Sequence, residues 1–128
     1  MQYNNRMYKE QSITSMTKGE MLIFLYDEVI KSLTKAKLLM HNNEYEAFEG
    51  EINRSQEIIN YFLLTLDRRY PVAAGLNKMY EFFNFELARA KAGRKEGVID
   101  EVLPFIIELR DTWREADKLS KGTVAYGQ

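Results

Sequence analysis

The chain has no cysteine, one histidine and two prolines among its 128 residues, and each shortage removes a class of function. Without thiols there is no disulfide scaffold, no cysteine nucleophile and no thiolate metal site. The sole imidazole is His41, and position 38 is Leu38, so the Glu-x-x-His pairs of a ferritin-like dinuclear centre are excluded. His41 falls at a predicted helix end and reads as a solvated turn residue. A serine or threonine nucleophile needs a neighbouring base, and only His41 offers an imidazole. Gly93 and Gly97 lack the spacing of a phosphate-binding loop. No catalytic residue, cofactor, metal or small-molecule substrate is expected, and the chain reads as a non-enzyme.

One-sided charge is missing as well. The net charge is −1, from 18 Lys and Arg against 19 Asp and Glu, and the basic residues are scattered. A nucleic-acid partner would call for a basic stripe, and none is present. No apolar run approaches the roughly 20 residues that span a bilayer, so no membrane insertion is expected. Met1–Arg6 has no apolar core of the kind a signal peptide carries, which points to a cytoplasmic location.

Few prolines and seven glycines leave room for long helices. Thr17 followed by Glu20 makes a capping box. Behind it, Leu22, Leu25, Val29, Leu33, Ala36 and Met40 recur in steps of three and four, and His41–Glu44 ends the helix. Asn43 with Glu46 predicts the cap of a second helix, whose stripe is Tyr45, Phe48, Ile52, Ser55, Ile59, Phe62 and Leu66. Arg69-Tyr70-Pro71 closes it, since proline disfavours helical angles in the residue before it. A third helix carries Leu76, Tyr80, Phe83, Leu87 and Ala90. Gly93 and Gly97 bracket a charged connection, and a fourth helix runs through Ile99, Val102, Ile106, Leu109, Trp113 and Ala116, with Pro104 placed near its first turn.

Long helices joined by short turns pack antiparallel, so the expected fold is all-α: an up-down-up-down four-helix bundle over residues 17–120. Residues 1–16 are expected to form a mobile N-terminal arm and 121–128 a flexible C-terminal tail.

Apolar residues exceed what four core stripes need. Met21-Leu22-Ile23-Phe24-Leu25-Tyr26 alone goes right round a helix at about 100° per residue. With two neighbours to meet, the first helix absorbs most of that run as core, and Tyr26, Phe62 and Trp113 read as structural. The surplus is clearer on helices two and three, where Ile58, Met79 and Phe82 lie beside the main stripes. A groove there would accept an amphipathic helix from a protein partner. In the arm, Tyr8 and Ile13 are apolar anchors suited to covering that groove until a client displaces them.

Thr17-Lys18-Gly19-Glu20, Leu25-Tyr26-Asp27, Met79-Tyr80-Glu81 and Leu109-Arg110-Asp111-Thr112-Trp113, in that order, make a pattern that resembles the flagellar secretion chaperones of the FliS family. Tyr8 and Ile13 stand where the family has a tyrosine and a valine. Ser15-Met16-Thr17-Lys18-Gly19-Glu20 is similar to its Thr-Ala-Ser-Pro-Glu-Glu helix start, and Leu25-Tyr26-Asp27 matches its Leu-Tyr-Asp. Ser55-Gln56-Glu57-Ile58-Ile59, Leu66-Asp67, Leu76 with Met79-Tyr80-Glu81, Glu101-Val102 and Leu109-Arg110-Asp111-Thr112-Trp113 continue the match in order. Lys18 replaces the family's proline, and the link between helices two and three is shorter. The resemblance implies a helical chaperone that clasps the disordered C-terminal segment of flagellin, with export-apparatus components as further partners. A structural homo-oligomer without a client is the alternative that composition and periodicity leave open.

Overall fold

The first helix, α1 (Lys18–His41), starts where its capping chemistry puts it. Thr17 Oγ1 accepts from the Glu20 N–H at 3.1 Å, and Glu20 Oε1 accepts from the Thr17 N–H at 3.1 Å. Two otherwise orphaned amides are thereby satisfied. Those bonds, the backbone one first, hold the Glu20 carboxyl below the usual carboxylate range, and Lys121 adds to the effect. The computed structural model describes residues 15–127, with side chains through 121. Tyr8 and Ile13 lie outside the described residues.

Three further helices follow: α2 (Tyr45–Thr65), α3 (Ala73–Gly93) and α4 (Glu96–Gly127). Among the described residues all regular structure is helical. Four sequence-based boundaries shift, each for a local reason. Asn43 does not cap α2: it adopts a left-handed φ of 58°, and its Oδ1 accepts instead from the Tyr45 hydroxyl at 2.8 Å. Glu44 takes the N-cap place without a side-chain bond. α2 stops at Thr65, before Arg69-Tyr70-Pro71, because Asp67 builds its own turn. Its carboxylate accepts from the Arg69 backbone at 3.1 Å and from the Arg69 guanidinium at 2.9 and 2.7 Å, a local arrangement that competes with helix.

α4 begins at Glu96, so Pro104 lies inside the helix rather than near its first turn. The connection from α3 is correspondingly short. Arg94 turns the chain in the left-handed region, at φ 50°, with its guanidinium 4.0 Å from the Tyr45 ring centre. At its far end α4 continues to Gly127, so the boundary drawn at 121 falls within regular helix. No proline or cap interrupts the backbone there.

Side-chain pairs establish the topology. Between α1 and α4, His41 meets Glu96, Lys37 meets Asp100, Asp27 meets Arg110, and Glu20 meets Lys121. Numbers rise on one helix as they fall on the other, so the helices are antiparallel. α1 and α2 show the same order through Glu28–Arg54 and Lys35–Glu51, and α2 and α3 through Asn53–Lys91 and Asn60–Asn84. Each helix packs on two neighbours, closing a square four-helix bundle. Gly19 lets α1 approach α4 closely, since a Cβ there would sit 2.5 Å from the Asp117 carboxylate.

The predicted stripes form the core. Val29, Leu33 and Ala36 of α1, Phe48, Ile52 and Ile59 of α2, Leu76, Phe83 and Leu87 of α3, and Ile99, Val102 and Ile106 of α4 are all buried. Leu22, Leu25, Leu66, Leu109 and Trp113 are only partly buried, at one end of the bundle. Near that end, Tyr26 and Tyr80 share a 2.6 Å hydroxyl–hydroxyl hydrogen bond across the diagonal from α1 to α3. The Phe62 ring of α2 stacks on Tyr26 at 4.7 Å and lies 5.4 Å from Tyr80.

Two outcomes test this arrangement. Burial pushes both phenols above their ordinary value of 10.0. Raised folded-state values mean the stability is fully present below pH 10 and is lost as pH rises, because the unfolded chain ionises first. In an alkaline titration of the eight tyrosines, tyrosinate absorbance from Tyr26 and Tyr80 should appear only as helical circular dichroism is lost. All eight ionising together with the helix intact would contradict the buried pair. Pro104 removes the N–H that the Asp100 carbonyl would receive in a helix. Pro104→Ala should therefore raise stability by about 1–3 kcal/mol in urea unfolding, and a loss would show that packing depends on the proline.

Candidate protein-docking surfaces

Whether a bundle seam is open or closed depends on which side chains flank it. The α1–α2 seam changes character along its length. Toward the α1 C-terminus, Glu28 is buried and receives Arg54 at 2.6 Å and Lys31 at 3.4 Å, while Lys35 reaches Glu51 at 3.8 Å. One turn nearer the capped end the flanks become apolar. Met21 and Leu25 of α1 face Ile58 and Tyr61 of α2 across an open groove of about 330 Å³, with Glu57 at its rim. Tyr61 is 49% exposed, and Leu64, one turn further along the helix, is 85% exposed.

A second concavity, of about 590 Å³, lies where the N-terminus of α1 meets α4. Leu22, Trp113 and Ala116 form its apolar floor, and Lys18, Asp117 and Lys121 its charged rim. The Trp113 Nε1 atom is buried, and its N–H bears on the Tyr26 hydroxyl, favouring the ionised form of that phenol. Among the described residues no cluster of His, Asp and Glu could hold a metal ion. No helix among the described residues is long and apolar enough to cross a membrane.

The sequence-predicted groove residues are not brought together. Ile58 lines the α1–α2 groove. Met79 and Phe82 are on α3, whose flank toward α2 is polar. There Asn84 donates to Asn60 at 2.7 Å, Lys91 to Asn53 at 2.9 Å, and Gln56 to the Asn84 carbonyl at 3.3 Å. Phe82 is two residues from Asn84, a rotation of about 200° around the helix, so it points away from α2. Met79 is partly buried against the core and Phe82 is 47% exposed. Helices two and three therefore share a polar seam and not an apolar groove. The lining residues that sequence reasoning passed over are Met21, Leu25 and Tyr61. Leu25 belongs to the core stripe of the first helix by its spacing and Met21 to the apolar run before Tyr26, but the two are four apart and so share a flank.

The family described as "Flagellar protein FliS" matches residues 1–120. The chain belongs to the FliS family. It is similar to the flagellar secretion chaperone FliS of Bacillus subtilis (strain 168), at 27% identity over 109 residues covering 85% of this chain and 82% of the relative. The Escherichia coli (strain K12) flagellar secretion chaperone FliS is 22% identical over 110 residues, covering 84% and 81%. For a family of chaperones, protein-docking surfaces and not a catalytic pocket are the features of interest. Of the concavities described, the α1–α2 groove has the most apolar lining.

That groove depends on the cap beside it, because Met21 is the first residue after the Thr17–Glu20 box and its N–H bonds the Thr17 carbonyl at 2.9 Å. Thr17→Ala should cost about 1 kcal/mol of stability in chemical denaturation. It should also speed amide exchange at Met21 more than in the α2 wall. Unchanged exchange at Met21 would separate the cap from the groove.

Proposed function

We propose that this chain binds the C-terminal segment of flagellin in the cytoplasm, keeping it from polymerising and fit for export. The observation that carries the reading is the open apolar groove between α1 and α2, on a bundle that belongs to a secretion-chaperone family. Its two walls present apolar residues at helical spacing, Met21 with Leu25 and Ile58 with Tyr61. This is the geometry that receives the apolar stripe of an incoming amphipathic helix. Met21 gives one wall an adaptable side chain that tolerates imperfect shape.

The energetics suit coupled folding and binding. A disordered client loses conformational entropy as it orders, which offsets part of the gain from burial. Each Leu- or Ile-sized contact contributes about 1.5–3 kcal/mol, so several are needed. The groove is short, and the client would extend from it along the exposed Tyr61–Leu64 edge of α2. Capture of this kind proceeds by burial alone, without nucleotide or metal.

Ile58→Asp is the direct test, because Ile58 is at the groove and outside the innermost core. It should leave the helical circular dichroism intact and weaken binding of a flagellin C-terminal peptide by about 10- to 100-fold, the equivalent of one lost apolar contact. Calorimetric titration reads this out. An unchanged dissociation constant would remove the α1–α2 groove from the client site.

A further inference from the structure

The α1–α2 groove is open at one end and closed at the other. At the capped end it runs on past Tyr61 to the exposed Leu64. At the opposite end its apolar walls stop about one turn beyond Leu25 and Ile58. There Glu28, Lys31, Lys35, Glu51 and Arg54 surround a separate concavity of about 160 Å³.

These five charges are layered. The carboxylates lie beneath, with the side chains of Glu28 and Glu51 only 11% and 18% exposed. The cations lie above them, Lys31 73%, Lys35 62% and Arg54 56% exposed. Glu28 is shared between Arg54 and Lys31, and Lys35 stays 3.8 Å from Glu51. Three positive groups over two negative ones leave an excess cation, and the surface offered to a partner is the cationic layer. Along the apolar stretch the rim carries the opposite sign, from the exposed Glu57 beside Ile58. An anion is therefore favoured at the closed end and disfavoured along the walls.

With the C-terminal segment of flagellin as client, as proposed above, the occupant has one free end. The rest of such a client has to leave through the open end, past Leu64, so its last residue comes to the closed end. A client helix ending there brings two negative features to one place, its α-carboxylate and the negative end of its dipole. We infer that Lys31, Lys35 and Arg54 form a binding site for the terminal α-carboxylate of the client. The site fixes the direction and register of the bound helix. Leu64 and Arg54 are ten positions apart on α2, a span of about 15 Å at about 1.5 Å per residue. About the last ten client residues would fill it. An internal amphipathic helix of the same composition lacks the free carboxylate and is discriminated against.

Calorimetric titration of the full chain with three forms of one flagellin C-terminal peptide tests this. The forms are the free acid, the C-terminal amide, and the acid lengthened by a Gly-Ser tail that carries the carboxylate past the closed end. At low ionic strength the free acid should bind about three- to tenfold more tightly than the other two, and added salt should shrink the difference. K31Q/K35Q leaves the Glu28–Arg54 pair in place and should stay helical. It should bind the acid and the amide alike, at the affinity of the wild type for the amide. Lys35→Gln alone, which should reduce the preference, serves if the double variant fails to fold. Equal affinity of the wild type for all three peptides, with Ile58→Asp still weakening each, would overturn the carboxylate site and leave the groove standing. Ile58→Asp without effect on any peptide would overturn the groove and the carboxylate site together. A preference for the acid that survives in K31Q/K35Q would place the carboxylate elsewhere and overturn the site.

Discussion

A hydrogen bond between two buried phenols holds the geometry on which the rest depends. Tyr26 on α1 and Tyr80 on α3 are 1% and 2% exposed, and neither hydroxyl can be left unpaired there without a desolvation cost of about 1–3 kcal/mol. Their 2.6 Å contact crosses the centre of the bundle, joining helices that are not neighbours. Phe62 packs against both rings and brings α2 into the same cluster. Once Tyr26 faces inward, helical phase turns Met21 and Leu25 to the α2 side and Asp27 to the α4 side. With Tyr80 inward, Asn77 and Asn84 face α2 while Phe82 is turned outward. The docking surfaces follow from this pair through the 3.6-residue period.

Polar contacts then decide which seams are sealed. The α1–α4 seam carries ion pairs along its length, from Lys37–Asp100 to Glu20–Lys121, and the α2–α3 seam carries amide bonds. Exposed pairs of this kind contribute little stability. Their effect is on alignment, since a slip of one turn would set each charge beside the wrong partner. The capped end of the α1–α2 seam and the outer face of α3 and α4 lack such closure. Those two surfaces lie on different sides of the bundle.

The core was legible because it depends on period alone. The stripes are buried from Val29 to Met40, Phe48 to Phe62, Leu76 to Ala90 and Ile99 to Ile106, as their spacing requires, whereas Leu66, Leu109 and Trp113 beyond them are half-buried and Ala116 is exposed. The helix ends were less so, since they depend on competing local bonds. Asn43 had a cap-like position in sequence, yet its left-handed backbone directs Oδ1 to the Tyr45 hydroxyl. The turn built by Asp67 leaves α2 ending at Thr65, six residues before Pro71. The docking residues were half legible. Periodicity identifies Ile58 and Phe82 as off-stripe, but which neighbour a flank faces is a property of the assembled square. Met21 and Leu25 sat in an apolar run that resembled core, and only the position of α2 shows that they line its edge.

The most direct measurement of the central claim is a methyl NMR titration with a flagellin C-terminal peptide. The account predicts that the methyl groups of Met21, Leu25 and Ile58 shift together, saturably, while that of Met79 on the other side of the bundle does not. Shifts centred on Met79 with Ile58 unmoved, or no saturable shift at any of these methyls, would contradict it.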